Sequence, residues 1–576
     1  MEILIRIIGF LDRIVWQSGI PVGGETIPFL VIALLGTGLF LTLRLGFIQI
    51  RRLGHGFGVT SGRYDDPDEP GDVSHFQALT TALSATVGIG NIAGVAIAIH
   101  YGGPGALFWM WMTAVFGMAL KYSEVTLALH FRQEEKPDVD PERWDGSVSG
   151  GPMYYIERGL GKAWKPLAMF FAGALIITSF LTGNGIQANT VADTMLSEFG
   201  VSPWITGLVT ASIVALVILG GIRRIGAVTG ILAPVMASVY VLGALIILVM
   251  NAGQIAPTFG LIFREAFNPS AGIAGTGAGA FLLTLMWGVR RGLFSNEAGQ
   301  GSAPIAHSAA KTDEPVSEGV VALLEPFIDT ILICTMTGLV ILVTGVWNQP
   351  VATELSIVGG DSSWVEINSE GTHLSVDAPE ELVVVDGVPA TDSRRFAWHD
   401  IAVDRFYVDA DQATPFTGSL LPGEGIARGS DGTNYTVLYG PAVESAAPLT
   451  KLAFEKALGK TGGYIVLFSV LLFAVSTAIS WSYYGDRCAN YLFGKKAVLP
   501  YKMVFVAMHF AGAVAPLAAI WALGDVALGM VTFPNLVALV LLSGLVVKLT
   551  KSYFERRPWE QNAVDHKRWK EEHRRK

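Results

Sequence analysis

Apolar runs of roughly 20 residues, the length a helix needs to cross a bilayer, recur along the whole chain between short polar stretches. Eleven such runs predict eleven membrane segments: Pro28–Leu43, Phe76–Tyr101, Ala106–Leu129, Pro166–Asn184, Trp204–Leu219, Ala227–Met250, Gly275–Gln300, Gly319–Val346, Gly463–Tyr484, Val504–Ile520 and Val526–Val547. Two of them are interrupted. The second carries SATVGIGNIAG (84–94), with a break expected at Thr86–Asn91, and the seventh carries TLMWGVRRGLFSNEAGQGS (284–302). Unsatisfied backbone groups in hydrocarbon cost several kcal/mol each, so irregular backbone there belongs inside protein or beside a wet cavity.

Each break falls in the first of five successive segments, two to six and seven to eleven. With an odd spacing between them, one enters the membrane from one side and the other from the opposite side. Paired breaks in two inverted halves point to the midplane site of a secondary transporter. Gly88, Gly90 and Gly94 would also suit plain close packing of helices, but a second break in the matching place weighs against that.

Composition agrees with this picture. The chain is 51% hydrophobic and 15% charged, against about 25% charged in soluble domains. No cleavable signal peptide is expected, and Met1 to Gln17 reads as an interfacial amphipathic helix. Cys334 and Cys488 offer neither a disulfide framework nor a metal cluster. Sixteen Asp or Glu against four Arg put −12 of the net −9 between Val351 and Thr450, leaving +3 for the remainder. Lys and Arg collect at 44–63, 130–163, 222–224, 487–496 and 548–576, all on one side of an eleven-span chain. That side is expected to be cytoplasmic, with the N-terminus outside and the C-terminus inside. The acidic insert 350–450 then lies outside. Its short runs Leu382–Val385, Phe406–Val408 and Tyr435–Tyr439 between Gly, Pro and Asp predict a small β-rich domain with a solvated acidic face.

Chemistry is expected at the breaks. A helix N-terminus presents free N–H donors and partial positive charge. Asn91 reads as the N-cap of a half-helix through Ile99, and Gly88 to Asn91 as a seat for a carboxylate. Thr86 and the carbonyls near Ala85 and Gly88 suit a hard cation such as Na⁺. No Asp, Glu, Lys or Arg occurs between Phe76 and Ile99, which favours a zwitterion with a metal cation over a proton relay. In the seventh segment Ser295 and Asn296 are expected to open the second half-helix, with Asn296 touching substrate. Glu297, in the first turn, reads as a helix-end stabiliser ahead of a ligand. Arg290 and Arg291 are expected at the break, either gating or paired with acids such as Glu124 or Asp329. Lys121 to Glu124 reads as an ion pair at a helix end, and His100, His307 and His509 as structural.

The motifs GIGNIAGVAIAIHYGGPGALFWMW (88–111), GGPMYYIERGLG (150–161), GNGIQAN (183–189) and GLFSNEAGQGSAPIAH (292–307) closely resemble the sodium:alanine symporter family, also called alanine or glycine:cation symporters. FIDTILICTMTG (327–338) and ISWSYYGDR (479–487) fit the same pattern. The resemblance implies an all-α polytopic fold of LeuT type, a 5+5 inverted repeat with one extra N-terminal helix, and alanine or glycine carried with sodium across a plasma membrane. It offers Gln187 as a substrate ligand, with an ordinary outer helix end as the other reading. It offers Ser476, Thr477 and Ser480 for sodium, although such hydroxyls commonly bond their own backbone. Trp481 becomes a lid over a small side chain. The insert departs from the pattern.

The expected organisation is an N-terminal region at 1–75, a first repeat at 76–250, the start of the second at 251–349, the insert at 350–450, the rest of the second repeat at 451–547 and a basic tail at 548–576. No organic cofactor, nucleic-acid partner or enzyme-like constellation is predicted. A symporter coupled to H⁺, or a sensor binding ligand in the insert, are the alternatives.

Overall fold

The computed structural model describes residues 10, 13–22, 25–66, 69–135, 147–269, 278–358, 361–367, 373–390, 394–515 and 517–573. Most of Met1 to Gln17, the beginning of the seventh segment at Gly275 and the end of the basic tail lie outside the described residues.

Apolar sequence becomes helix wherever the chain must satisfy its own backbone. Helix α1 (Phe29–Arg44) is followed by α2 (His75–Thr86), α3 (Val95–Gly102) and α4 (Ala106–His130). A capping box fixes where α2 begins: Ser74 Oγ accepts the Gln77 N–H at 3.2 Å, and the Gln77 side chain accepts the Ser74 N–H at 3.1 Å. After Thr86 the backbone leaves the helix and resumes through a wide turn at Gly90–Gly94, bending the axis by 54° before α3.

Next come α5 (Lys165–Phe180), α6 (Ile186–Phe199), α7 (Pro203–Ile218) and α8 (Gly221–Met250). The fourth segment does not end at Asn184. The polar stretch GNGIQANTVAD stays helical, so that Lys162–Phe199 forms one span. Its polar groups are absorbed by a neighbouring helix: Asn184 Nδ2 donates to Phe505 O at 2.8 Å and Asn189 Nδ2 to Gly512 O at 3.0 Å. Arg223 and Arg224, expected in a linker, lie inside α8 because Gly220 and Gly221 (φ +68°) make the turn before them.

Two further helices, α9 (Ala252–Phe267) and α10 (Ala278–Asn296), lead into an unwound stretch and the short α11 (Ala303–His307). Then follow α12 (Pro315–Ala322), α13 (Thr335–Thr344), the insert, α14 (Ala446–Leu458), α15 (Lys460–Phe493), α16 (Val498–Val514) and α17 (Leu517–Arg556). The tenth segment therefore stops near Val514, and Leu517–Ile520 already belongs to α17. Among the described residues six helical spans are long and apolar enough to cross a membrane, and the bent α2–α3 pair makes a seventh. Phe29–Arg44 and Pro203–Ile218 are shorter apolar helices. The chain is a multi-pass, mainly helical membrane protein.

The insert is built of strands. Val351–Ser356 and Val437–Ala442 pair antiparallel as a two-stranded stalk, from Val351↔Ala442 to Ser356↔Val437. A four-stranded and a five-stranded antiparallel sheet stand on it. Leu382–Val385 is a strand, whereas Phe406–Val408 is not: Tyr407 makes only isolated bridges to Pro415 and Tyr439. Trp364, Phe396, Phe406, Phe416 and Leu420 form a core of its own, separate from the core among the membrane helices. Acidic residues here serve turns. The backbone N–H of Ala413, with Thr414 beside it, holds the exposed Asp409 carboxyl below its usual range.

Phe396→Ala should therefore loosen the insert alone. Emptying a buried Phe site costs about 3–5 kcal/mol, so limited proteolysis should cleave faster within 350–450 while the helical circular-dichroism signal stays as in the wild type.

Candidate functional site

At the first break the chain runs against α15. The Ser84 carbonyl accepts hydrogen bonds from Ser476 Oγ and Thr477 Oγ1, each at 3.2 Å, and the Ser84 and Ser476 hydroxyls bond each other. Position 88 is tight, because a Cβ there would lie 2.7 Å from Thr477 Oγ1 and displace that hydroxyl. One turn further along α15, the buried Ser480 Oγ has no hydrogen-bond partner among the described residues. Ala85, Thr86 and Gly88 are all buried beside these hydroxyls' helix. Thr86 Oγ1 bonds back to Ala82 O at 3.2 Å within its own helix. Oxygens of this kind suit a hard, weakly hydrated cation rather than a transition metal.

Asn91 does not cap the second half-helix. It sits one residue inside the resumed turn, and its Oδ1 reaches back to accept the Gly88 N–H at 2.8 Å. In this conformation that N–H is therefore closed to a carboxylate. The Asn91 amide instead spans the two breaks: Nδ2 lies 3.1 Å from Ser295 Oγ, 2.5 Å from Asp329 Oδ1 and 3.1 Å from Asp329 O. Gly90 lets the two breaks touch, since a Cβ there would stand 3.3 Å from Ser295 Cα.

The second break lies later than expected. Helix α10 runs through Arg290, Arg291 and Ser295 to Asn296, and the chain unwinds only at Glu297 (φ +54°), Gly299 (φ +88°) and Gly301 (φ +78°). Ser295 and Asn296 thus end the first half-helix rather than open the second. Gly288 is a packing residue, because a Cβ there would meet Ala106 O at 2.5 Å. Glu297 stands at a helix C-terminus, where a negative charge gains nothing from the dipole. Two donors hold it instead: Ser302 Oγ at 2.6 Å and Trp481 Nε1 at 3.0 Å. Asn296 folds onto the break, its Oδ1 accepting the Ala298 N–H at 3.0 Å and its Nδ2 donating to Thr330 Oγ1 at 3.2 Å.

Arg290 and Arg291 lie inside α10 and not at the break. Arg290 stacks over Trp16 at 4.5 Å, and Arg291 lies 5.5 Å from the rings of Trp287 and Phe294. Glu124 takes Asn535 Nδ2 at 2.6 Å, and Asp329 takes Asn91 and Ser295, so the arginine pairings expected for these acids do not form. Lys121 pairs with Glu325, 3.0 Å away, rather than with Glu124.

Asp329 is the group that reading the sequence for breaks undervalued. It lies in a wide helical turn, Phe327–Cys334, and is fully buried. Ser295 Oγ and Thr330 Oγ1 both donate to its Oδ2 at 2.7 Å. With Asn91 on Oδ1, one carboxylate joins both breaks. The signal was a lone acid in the apolar run FIDTILIC, and an intramembrane acid is a functional candidate by default.

Trp481 closes a third side. Its indole packs against Gly183, where a Cβ would come within 2.3 Å of Cγ, and its N–H donates to Glu297. Gln187, on the same stretch of the fourth span, donates to Thr182 O at 3.2 Å, while its buried Oε1 has no partner among the described residues. The structure thus gathers Gly88, Gly90, Asn91, Ser295, Asn296, Ser476 and Thr477 round the crossing of two breaks, with Trp481 and Gln187 on the flank of the fourth span. Arg290 stands apart, over Trp16, whereas the stem of Arg291 lies against Gly94 of the resumed turn.

Long apolar helices and two helix breaks that meet at a buried polar centre define a membrane transporter. The model of the sodium:alanine symporter family matches residues 3–361 and 433–567, and the chain belongs to that family. It is a family of symporters and not of enzymes. Residues 362–432, most of the insert, fall outside the match. The chain is 41% identical to the sodium/alanine symporter AgcS of Methanococcus maripaludis, over 92% of this chain and 94% of that protein. It is 31% identical to a putative sodium/proton-dependent alanine carrier of Bacillus subtilis, over 94% and 91% of the two chains. The crystal structure of MhsT in complex with L-phenylalanine is similar at 11% identity and a TM-score of 0.49, covering 86% of this chain and 96% of that one.

Asp329→Asn should uncouple the two breaks, because the new amide cannot accept from Asn91 and Ser295 together as a carboxylate does. A hydrogen bond to a charged group contributes about 1.5–3 kcal/mol, so substrate affinity should fall by about tenfold or more, measured by scintillation proximity on protein that still elutes as a single species. Wild-type binding in that variant would remove Asp329 from the site.

Proposed function

We propose that this chain imports small neutral amino acids of the alanine and glycine type together with Na⁺, by alternating access around the two breaks. The observation that carries this reading is the buried crossing of α2–α3 with α10–α11, joined through Asn91, Ser295 and Asp329. In this reading the core is a LeuT-type 5+5 inverted repeat, with halves at 76–250 and from 251 to 547, behind one extra N-terminal span. The eleven spans run from an outer N-terminus to a cytoplasmic C-terminus in a plasma membrane of bacterial or archaeal type.

Substrate would be held between Thr86, Gly88, Gly90 and Asn91 on one side and Ser295 and Asn296 on the other. Backbone N–H groups of the first break take its carboxylate once Asn91 releases Gly88, and Asp329 supplies the negative partner for its ammonium. Gln187 borders the same space. Trp481 limits the side chain to a methyl group or hydrogen, because its ring already occupies the room beside Gly183. Sodium would take oxygens of Ala85, Gly88, Ser476, Thr477 and Ser480, the last of which has a buried hydroxyl without a protein partner among the described residues. Glu297 positions Trp481, and Arg290 and Arg291 face the approach from the Trp16 side.

Reconstituted protein should accumulate [¹⁴C]alanine when a sodium gradient is imposed at fixed pH, and uptake indifferent to sodium would end the coupling claim. Uptake driven only by a pH gradient would assign the role to H⁺. Thr477→Ala and Ser480→Ala should each raise the sodium concentration for half-maximal uptake by about three- to tenfold, as loss of one ligand of about 1 kcal/mol implies. Asn296→Ala should weaken alanine binding by a similar factor. Removal of 362–432 should leave sodium-driven uptake measurable, whereas complete loss in a well-folded deletion would favour ligand sensing by the insert.

A further inference from the structure

A second set of buried polar groups lies away from the crossing, at the end of the molecule where α2 begins. Five side chains from five elements form one line: His75 (α2), Glu318 (α12), His307 (α11), Glu325 (Leu324–Pro326) and Lys121 (α4). His75 Nδ1 meets Glu318 Oε2, and Glu318 Oε1 lies 2.5 Å from His307 Nδ1. His307 Nε2 lies 2.7 Å from Glu325 Oε1, and Glu325 Oε2 lies 3.0 Å from Lys121 Nζ. Every side chain in the line is 3% exposed or less.

The geometry counts protons. Both ring nitrogens of His307 face a carboxylate oxygen. A neutral imidazole has one N–H, so its other nitrogen would direct a lone pair at a carboxylate. The line therefore holds one proton more than neutral histidines and two carboxylates supply, on His307 or on one of the glutamates. With that proton, Lys121 and His307 balance Glu318 and Glu325. Without it, a net negative charge stays buried and unpaired, which is strongly unfavourable.

The line also sits where this end of the pathway is shut. The chain before α2 and the chain after α11 are stitched together: Asp72 N and Val73 N donate to Ala309 O at 2.8 and 3.1 Å, and Lys311 N donates to Val73 O at 2.8 Å. Arg132 donates to the carbonyls of Pro70, Ala310 and Thr312 at 3.0, 3.0 and 2.8 Å and so clamps both strands. Glu318 bridges His75, the first residue of the first broken span, to His307, the last residue of the second. Separating those half-helices must pull His75 and His307 apart and hydrate the line. The other charged groups near it are Asp65 and Glu69 beside His75, and Glu297 and Glu124 beside Lys121.

We propose that His75, Glu318, His307, Glu325 and Lys121 form a proton site, in which closing this end of the pathway binds one proton and opening it releases that proton. The proposal rests on alternating access as read above. In water an imidazole has a pKa of about 6.5, so hydration on opening lets His307 give up its proton above that pH. Above that pH the closed state holds one proton more than the open state, so raising the pH favours opening by up to tenfold per unit, and below it the dependence flattens.

Hydrogen–deuterium exchange of the purified full chain in saturating Na⁺, corrected for intrinsic rates, reads this directly. Protection of peptides covering 69–80 and 303–312 should fall by up to tenfold per unit between pH 7 and 8.5. Glu318→Gln and Glu325→Gln each leave Lys121 balanced by one carboxylate, remove the need for the extra proton and should abolish that slope, and two variants guard against one that fails to fold. No slope in the wild type, or the same slope in a folded variant, overturns the proton site. Alanine uptake measured on the same preparations separates the two claims: a slope without sodium-driven uptake counts against the transport reading alone, and uptake without a slope counts against the proton site alone.

Discussion

The structure depends on how two interrupted helices satisfy their backbone and polar groups where water is absent. Unwinding a span frees N–H and C=O groups that lipid cannot serve, so each break must find partners in protein. Here they find each other. Asn91 accepts the Gly88 N–H with one end of its amide and donates across to Ser295 and Asp329 with the other. Its own carbonyl takes Thr337 Oγ1 at 2.8 Å, and Thr337 is bonded to Tyr240 OH at 2.7 Å. The first break is thereby tied to the eighth segment and, through Tyr240, to α8. A buried network of this kind favours all-or-none rearrangement, because a half-satisfied set costs more than either complete one.

The first break was legible because two glycines and an asparagine stand in a run that carries no charge. The second was legible as existing but not in position. Glycine marks both turns and close contacts, and sequence alone does not say which; Gly288 and Gly292 turn out to pack against Ala106 and Thr113, while Gly299 and Gly301 take the positive φ angles. That shift moved Ser295 and Asn296 from one half-helix to the other, left Glu297 in the unwound stretch and carried both arginines into helix. In the fourth span, polarity at GNGIQAN looked like a helix end, but carbonyls of α16 supply partners that no hydropathy pattern reveals. The strand Leu382–Val385 was legible as a β-like run between turn residues, whereas Phe406–Val408 had the same pattern without a neighbour to pair along it.

Charge is sorted by position. At the crossing of the breaks, uncharged amides and hydroxyls surround the carboxylate of Asp329, and Ser302 and Trp481 hold that of Glu297. The groups that trade protons are kept elsewhere, in the line from His75 to Lys121. His307, which sequence spacing left as structural, gains a role there only because the fold brings glutamates to both its ring nitrogens.

Most of the insert lies outside the family match yet is tied to the broken spans. Helix α14, which follows it, hydrogen-bonds the first broken span through Thr450 Oγ1 and Ile92 O at 3.0 Å. At the far end of α3, His100 Nε2 lies 2.8 Å from His399 O and Tyr101 OH donates to Asp400 Oδ2 at 3.1 Å. His399 and Asp400 are the two-residue turn between paired strands, and both adopt positive φ, +49° and +63°. A turn of that type favours Asn-Gly, so the chain keeps a less comfortable pair at the point where it meets the helix. Tyr101 in turn stacks on Trp287 of α10 at 4.5 Å. The insert thus touches a stack that joins α3 to α10, and any tilt of α3 must either carry the turn with it or break its two hydrogen bonds.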